Sequence, residues 1–459
     1  MDAEIATMER TNTWSIVPLP HGHHAVGCKW VYKVKYHADG TVDKHKARLV
    51  EKGYSQLEGI DFLDTFSPVA KIVTVKVLLS LTASFGWSLC QMDVNNAFLN
   101  GDLFEEVYMT LPMGYYSKEQ QASSTPSCKL HKSIYGLKQA SRQWFSKFSG
   151  VLLINGFSQS KADYSLFTKG QGTSFIALLV YVDDILITGH SSKEINSVKE
   201  LLQSHFLLKD LGQAKYFLGL ELSRSTTGIY LSQRKYCLQI LEDSGFLAAK
   251  LTQCSMVPSL RLSTTSGIAL DDEDAFSYRR LIGRLLYLQI SRPDISYCVH
   301  KLSQFLAKPH TEHLIAAHHL LRYLKGTAGQ GIMLWASKEF NIKAFVDSDW
   351  GCCLDTRKSI TGFCIFLEKS LVLWKTKKQA TVSCSSAEAE YRALASVSSE
   401  ITWLTHLLQD LQISHQEPAL IYCDNRAAIS IASNPTFHER TKHIEIDWHF
   451  IRDKIQQGQ

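Results

Sequence analysis

Phe175 to Gly189 reads FIALLVYVDDILITG, an apolar run interrupted by two adjacent carboxylates, Asp183 and Asp184. Ionised carboxylates in apolar surroundings carry a heavy desolvation cost unless something cationic meets them. A bound metal ion would meet them. The run is too short to span a bilayer and too rich in Val, Ile and Leu to be a loop. It therefore predicts two β-strands, 175–182 and 185–189, joined by a tight turn at the Asp pair. Side chains alternate along a strand, but a turn can lift both carboxylates to one end. A buried hairpin with a polar turn is the other reading of this stretch, and the sequence upstream decides between them.

Tyr181-Val182-Asp183-Asp184 resembles the Y-x-D-D box of reverse transcriptases, and QMDVNNAFLNGDL (Gln91–Leu103) resembles the box that supplies their third metal-binding carboxylate, here Asp93. Over nearly the whole chain the wording resembles the copia-type LTR retrotransposon polyprotein. That resemblance implies an α+β fold: a right-hand polymerase with fingers, palm and thumb, a helical connection, and an α/β RNase H-like domain. The expected divisions are an N-terminal segment at 1–24, the polymerase at 25–255, linker and connection at 256–335, and a C-terminally truncated RNase H-like domain at 340–459.

Composition sets looser bounds. The 459 residues suffice for two to four domains, and 45% hydrophobic content is enough to build cores. A net charge of +5 is mild, so nucleic-acid binding must rest on local clusters. The 11 cysteines are scattered without C-x-x-C pairs, apart from the adjacent Cys352-Cys353, which predicts a reducing compartment. The N-terminus has no signal-peptide or transit-peptide pattern, and no apolar stretch reaches about 18 residues. A soluble, intracellular protein without a membrane partner is the expectation. The resemblance adds a cytoplasmic site within virus-like particles, with nuclear access. Oligomeric state stays open.

Residues 28–54 alternate with period two around the Asp39-Gly40 turn signal, which predicts a hairpin rich in lysine, with Trp30, Tyr32 and Tyr36 interleaved. A solvated outer sheet face would look the same. The segment resembles the copia-type KWVFK…DG…KARLVAKG fingers, which implies that Lys46 and Arg48 lie near the incoming triphosphate. Glu51 stands where relatives have a small residue, and an acid pointing inward there would be unwelcome. Downstream, Ile72, Val75, Leu78, Leu79 and Leu81 predict a helix feeding a strand that ends at Asp93. Phe98 occupies the position where reverse transcriptases set an aromatic against the sugar of the incoming nucleotide. A core aromatic is the plainer reading.

After a polar insert at 117–127, LHKSIYGLKQASRQWFSKF (Leu130–Phe148) resembles a family helix start that contacts template and nucleotide. It nominates Tyr135, Gly136, Lys138, Gln139 and Arg142, with Tyr181 of the Y-x-D-D box beside them. Ser141 replaces the family proline and can cap the helix instead, so a local change without loss of the helix is expected. Ser191-Ser192-Lys193-Glu194 reads as a capping box opening another helix. YFLGLEL (Tyr216–Leu222) resembles the primer grip, with Leu218 and Gly219 at its centre, although a structural strand with one glycine fits equally. LSQRKYCLQILEDSGF (Leu231–Phe246) predicts an amphipathic helix, which the resemblance assigns to the thumb. Residues 255–275 read as a linker, and helices follow. His310, His313, His318 and His319 lack a cysteine or carboxylate to complete a zinc set.

The last portion carries separated acids: Asp347 ends the strand NIKAFVD, Glu390 lies in SSAEAEYRAL, and Asp424 ends ALIYCD. These stretches resemble copia-type RNase H. Ser385-x-x-Glu388 satisfies a capping box, which leaves Glu390 on the face shared with Ala393, Leu394 and Val397; Glu390 is the expected ligand and Glu388 the cap. Glu445 stands at the fourth acid, where relatives have Asp, and the chain stops soon after, so weakened RNase H activity is expected.

The resemblance implies an RNA-directed DNA polymerase that also degrades the RNA of hybrids. Two Mg²⁺ (or Mn²⁺) ions are expected per site, on Asp93, Asp183 and Asp184 in one and on Asp347, Glu390 and Asp424 in the other. RNA template, DNA primer, RNA/DNA hybrid and deoxynucleoside triphosphates are the implied partners. A relic that only binds nucleic acid and a DNA-templated repair polymerase are the competing readings.

Overall fold

Ile176–Tyr181 and Asp184–Gly189 pair antiparallel, with Tyr181 opposite Asp184 and Ile176 opposite Gly189. The turn is Val182-Asp183, one residue earlier than expected, so Asp184 already lies on the second strand. The computed structural model describes residues 1–37, 39–115, 126–414, 417–433 and 445–458, with the backbone alone for 445–448. The polar insert therefore lies almost entirely outside the described residues.

The chain divides into two units, residues 1–70 with 90–212 and residues 71–89 with 213–459. In the first, the hairpin is central to a six-stranded sheet of order Leu208–Gln213, Ser88–Val94, Asp184–Gly189, Ile176–Tyr181, Leu166–Lys169, Ser158–Gln159. Its residues are buried on both faces, which explains an unbroken apolar run where a half-exposed strand would alternate. Leu178, Val180, Ile185 and Ile187 pack against Trp144 and Phe148 of helix Ala140–Ile154 and against Ile195, Val198 and Leu202 of helix Ser192–His205. Each such side chain contributes roughly 1.5–3 kcal/mol on burial.

Ser191 caps the second of these helices as predicted, accepting from Glu194 N–H. Ser141 does not cap the first. That helix starts at Ala140 after Gln139, which places Ser141 inside its first turn, and no side chain caps it. The lysine-rich segment forms the hairpin Cys28–Tyr36 and Val42–Glu51. Gly40 takes φ 86° at its turn, and Asp39 Oδ1 accepts from Thr41 N–H at 2.9 Å.

In the second unit, helix Ile72–Phe85 groups with an antiparallel sheet of order Tyr216–Phe217, Leu220–Ser225, Gly228–Ser232, Gly331–Trp335. YFLGLEL is thus two strands and a turn. Leu218 and Gly219 take φ 48° and 72°, and Tyr287 Oη donates to Leu218 O at 2.6 Å. A side chain at position 219 would collide with Tyr287, so the turn and this close approach account for the glycine.

Helices Arg234–Asp243, Asp272–Leu288, Ser296–Ser303 and Thr311–Gly326 share one core around Ile240, Tyr278, Ile282, Val299, Leu320 and Leu324. His313 belongs to this packing: its ring stacks on Phe305 at 3.9 Å and accepts from His310 N–H at the helix start. The last sheet runs Ser370–Lys378, Ile360–Leu367, Ile342–Asp349, Leu420–Tyr422, with its final pair parallel and the others antiparallel. Helix Ser386–Asp410 covers it. Among the described residues no helix is long and apolar enough to cross a membrane.

Candidate active sites

Strand Ser88–Val94 runs beside strand Asp184–Gly189, so Asp93 near the end of one meets the Asp pair at the start of the other. Val182, a β-branched residue, takes φ 56° in the turn. Such a conformation costs on the order of 1–3 kcal/mol and persists only where its surroundings hold it. Two bonds hold it here: Trp144 Nε1–H donates to Val182 O at 2.7 Å, and Val94 N–H donates to Asp183 O at 2.8 Å. Asp184 accepts from Gln91 Nε2 at 3.1 Å.

Burial, then the charge of Asp183, pushes the Asp93 carboxyl up, while Lys46, Lys35 and Lys209 pull it back. Burial also raises Asp184, opposed by the Gln91 bond and reinforced by both other aspartates. Half-buried like charges with only oxygen donors fit a hard divalent cation, Mg²⁺ or Mn²⁺, better than zinc.

Residues expected around the nucleotide come together beside this turn. The Arg48 guanidinium lies over the Tyr135 ring at 4.2 Å, and that ring meets Phe98 edge-on at 4.8 Å. Gly136 takes φ 99°, against the Glu51 carbonyl, where a side chain would not fit. On the lysine hairpin, Lys33 lies opposite Lys46 and Lys35 opposite Lys44. Like charges directly opposite repel, so this face is built for an anion.

Lys138 and Arg142 are tied to the segment 56–64: Lys138 N–H donates to Gln56 Oε1 at 2.8 Å, and Arg142 pairs with Asp64 at 3.1 Å. Gln139 departs from expectation. It is fully buried, accepts from Gln56 Nε2 at 3.0 Å and donates to Asp61 O at 2.8 Å, so it braces the loop.

A second cluster forms on the last sheet. Asp347 lies opposite Gly362, and Ser348 N–H donates both to Asp347 Oδ1 at 2.8 Å and to Glu390 Oε1 at 3.0 Å. Ligand atoms of Glu390, Cys423 and Asp424 all lie within 4.8 Å of one another; among the described residues this is the one group of three so gathered. Burial first, then Asp347 and Asp424, push Glu390 up to about 7 despite the Ser348 bond. Glu388 points elsewhere: it accepts from Cys384 N–H at 2.7 Å and pairs with Arg392 at 3.0 Å. Ser385 Oγ accepts from Glu388 N–H at 3.2 Å, so the cap forms, with its return bond one residue earlier than a capping box has it. The Glu445 side chain lies outside the described residues, although a helix begins there.

The family model described as reverse transcriptase (RNA-dependent DNA polymerase) matches residues 11–258. The chain belongs to the reverse transcriptase family. It is 43% identical over 459 residues to the retrovirus-related Pol polyprotein from transposon RE1 of Arabidopsis thaliana, covering 100% of this chain and 31% of that protein. With the corresponding polyprotein from transposon TNT 1-94 of Nicotiana tabacum it shares 37% over 463 residues, covering 99% and 34%. The chain is thus of the copia retrotransposon type and spans about a third of the length of those polyproteins. A foamy viral protease-reverse transcriptase solved with double-stranded DNA superposes with a TM-score of 0.51, at 10% identity, over 99% of this chain and 68% of that one. The two share the polymerase fold.

Sequence reasoning missed four residues in the two candidate sites. Gln91 lies two positions before Asp93, a strand spacing that sets both on one face and offered a signal. Trp144 sits in the quoted stretch Leu130–Phe148, but nothing local shows that its indole reaches the Val182 carbonyl 38 residues away. Ser348 and Cys423 gave no signal beyond adjacency to acids.

Glu51 does point inward. It is 2% exposed and neither carboxylate oxygen has a hydrogen-bond partner. Burial, then the charge of Asp61, raises its pKa well above the ordinary range. A carboxyl raised on folding contributes stability at low pH that is lost as pH rises through the raised value. Glu51→Gln is therefore expected to raise Tm at pH 8 and to leave it nearly unchanged at pH 4.5. Thermal unfolding at the two pH values checks this; an equal shift at both would refute it.

Proposed function

We propose that this reverse transcriptase extends a DNA primer on an RNA template and, through its C-terminal portion, cleaves the RNA of the resulting hybrid. The convergence of Asp93, Asp183 and Asp184 at the Val182-Asp183 turn carries the polymerase reading. Two divalent cations held by these carboxylates would supply charge stabilisation for the attacking 3′-oxygen and the leaving pyrophosphate. Asp93, Asp183 and Asp184 would hold the ions, with Asp184 oriented by Gln91. The turn, pinned by Trp144, would hold the carboxylates in place during reaction.

Lys46 and Arg48 would bind the triphosphate; Arg48 is already oriented by its stack on Tyr135. Gly136, Lys138, Arg142 and Tyr181 would meet template and nucleotide. Leu218 and Gly219, in their tight turn, would hold the primer terminus. Asp347, Glu390 and Asp424 fit a second divalent-metal site, with Glu445 as a fourth acid, for hydrolysis of RNA.

Extension of oligo(dT) on poly(rA) with Mg²⁺ tests the proposal. Incorporation of labelled dTTP is expected; hybrid binding without incorporation would instead identify a binding relic. Phe98 would exclude a 2′-hydroxyl from the sugar pocket, and its edge contact with Tyr135 fixes its ring. Phe98→Val is expected to lower the dGTP/GTP ratio of kcat/KM by at least about 10-fold, the scale of one lost apolar contact. An unchanged ratio would make Phe98 a core residue only.

A further inference from the structure

Lys76 is the most buried cation of helix Ile72–Phe85, 3% exposed in the second unit. Lys76 and the N-cap residue Lys71 both dock on tryptophans: Lys71 lies over Trp403 at 4.3 Å and Lys76 over Trp374 at 3.3 Å. A ring face satisfies part of a charge but accepts few hydrogen bonds, and an ammonium has three to give. Beside Lys76 lies a cavity of about 210 Å³. Its polar lining consists of Lys76, Gln289, Ser296, His300, Lys375 and Thr376, with no carboxylate among the lining residues.

Ser296 is 6% exposed and its hydroxyl has no hydrogen-bond partner. It is also the first residue of helix Ser296–Ser303, where the positive end of the helix dipole lies. His300 Nε2 accepts from Lys378 N–H at 3.2 Å, which leaves its other ring nitrogen as a donor. Lys375 pairs with Glu400 at 3.0 Å, so that acid is already engaged.

From this lining we infer that the cavity beside Lys76 binds a phosphate-class oxyanion, with the Lys76 ammonium as its charge partner and the Ser296 hydroxyl as a donor. A buried, unpaired ammonium is costly, and an anion within reach removes most of that cost. Burial alone holds Lys76 well below its ordinary range, and no acid opposes it, as expected of a site waiting for an exogenous charge. The space suits a tetrahedral ion with a few waters. The same chemistry reaches the protein as free phosphate or as the terminal phosphate of a nucleic acid.

The test is thermal unfolding of the full chain at pH 7 and fixed ionic strength, with phosphate replacing chloride, for wild type, Lys76→Met and Ser296→Ala. Wild type is expected to gain roughly 2–4 °C. Lys76→Met should melt at or above wild type in chloride and gain nothing from phosphate; Ser296→Ala should need more phosphate for the same gain. Equal gains in wild type and Lys76→Met would overturn the site, because the effect would then be the general action of phosphate on protein surfaces.

Reductive methylation of wild type, read by peptide mass spectrometry, keeps the test open should Lys76→Met fail to fold. Phosphate is expected to slow labelling of Lys76 and to leave surface lysines unchanged; unchanged labelling of Lys76 overturns the proposal. A 5′-phosphorylated oligonucleotide that protects Lys76 as well as inorganic phosphate assigns the anion to nucleic acid, and protection by the free ion alone assigns it to solution.

Discussion

Asp183→Asn is expected to abolish primer extension while leaving hybrid binding and Tm intact. The substitution keeps shape and removes one charge from a cluster in which Asp93 and Asp184 are already raised by burial and by the charge of Asp183. The bonds that hold the turn use main-chain oxygens of Val182 and Asp183, so they survive the change. Removing a carboxylate also relieves repulsion, so stability without metal should not fall. Turnover should drop on the order of 10²-fold or more, the scale of losing a principal charge-stabilising group. Single-turnover extension, hybrid binding by anisotropy and a melting curve together decide it. A variant that retains about a tenth of wild-type turnover would remove Asp183 from the metal-ligand set, because a smaller loss fits a secondary role.

The second large effect separates two glutamates two residues apart. Glu390→Gln should eliminate cleavage of RNA in a hybrid and leave polymerisation unchanged. Glu388→Gln should keep most of the cleavage but destabilise the second unit by about 1–3 kcal/mol, because it weakens a buried, charge-assisted set of bonds to Cys384 N–H and Arg392. An inactive Glu388→Gln with an active Glu390→Gln would reverse the assignment.

The two variants also differ in pH dependence. Folding raises Glu390 from 4.5 to about 7. Its contribution in metal-free protein is therefore full below pH 4.5 and lost as pH rises through about 7. Metal-free Glu390→Gln should accordingly gain on wild type above pH 7. Added Mg²⁺ should narrow that gain, because the ion stabilises the ionised wild-type carboxylate and binds the amide weakly.

Local pattern determined much of this protein. The apolar run around Asp183 and Asp184 specified a doubly covered hairpin because β-branched and leucine side chains stay out of water on both faces. Ser191 and Ser385 marked helix starts because a hydroxyl can accept from the third helical N–H. Family wording brought Asp93, Asp347, Glu390 and Asp424 to attention before any fold was in hand.

What the sequence left open depends on contacts between residues far apart in the chain. The turn shifted by one residue because Trp144 and Val94 fix the Val182-Asp183 backbone from other elements. Gln139, nominated for contact with substrate, went inward because Gln56 and Asp61 satisfy its amide. Gly219 answers to Tyr287, 68 residues away. Lys76 lies among apolar residues at helical spacing, and only the tertiary fold, which sets it against Trp374, made it a buried charge. Periodicity records which face of an element avoids water, whereas the identity of a partner across the core is set by packing that no local pattern encodes.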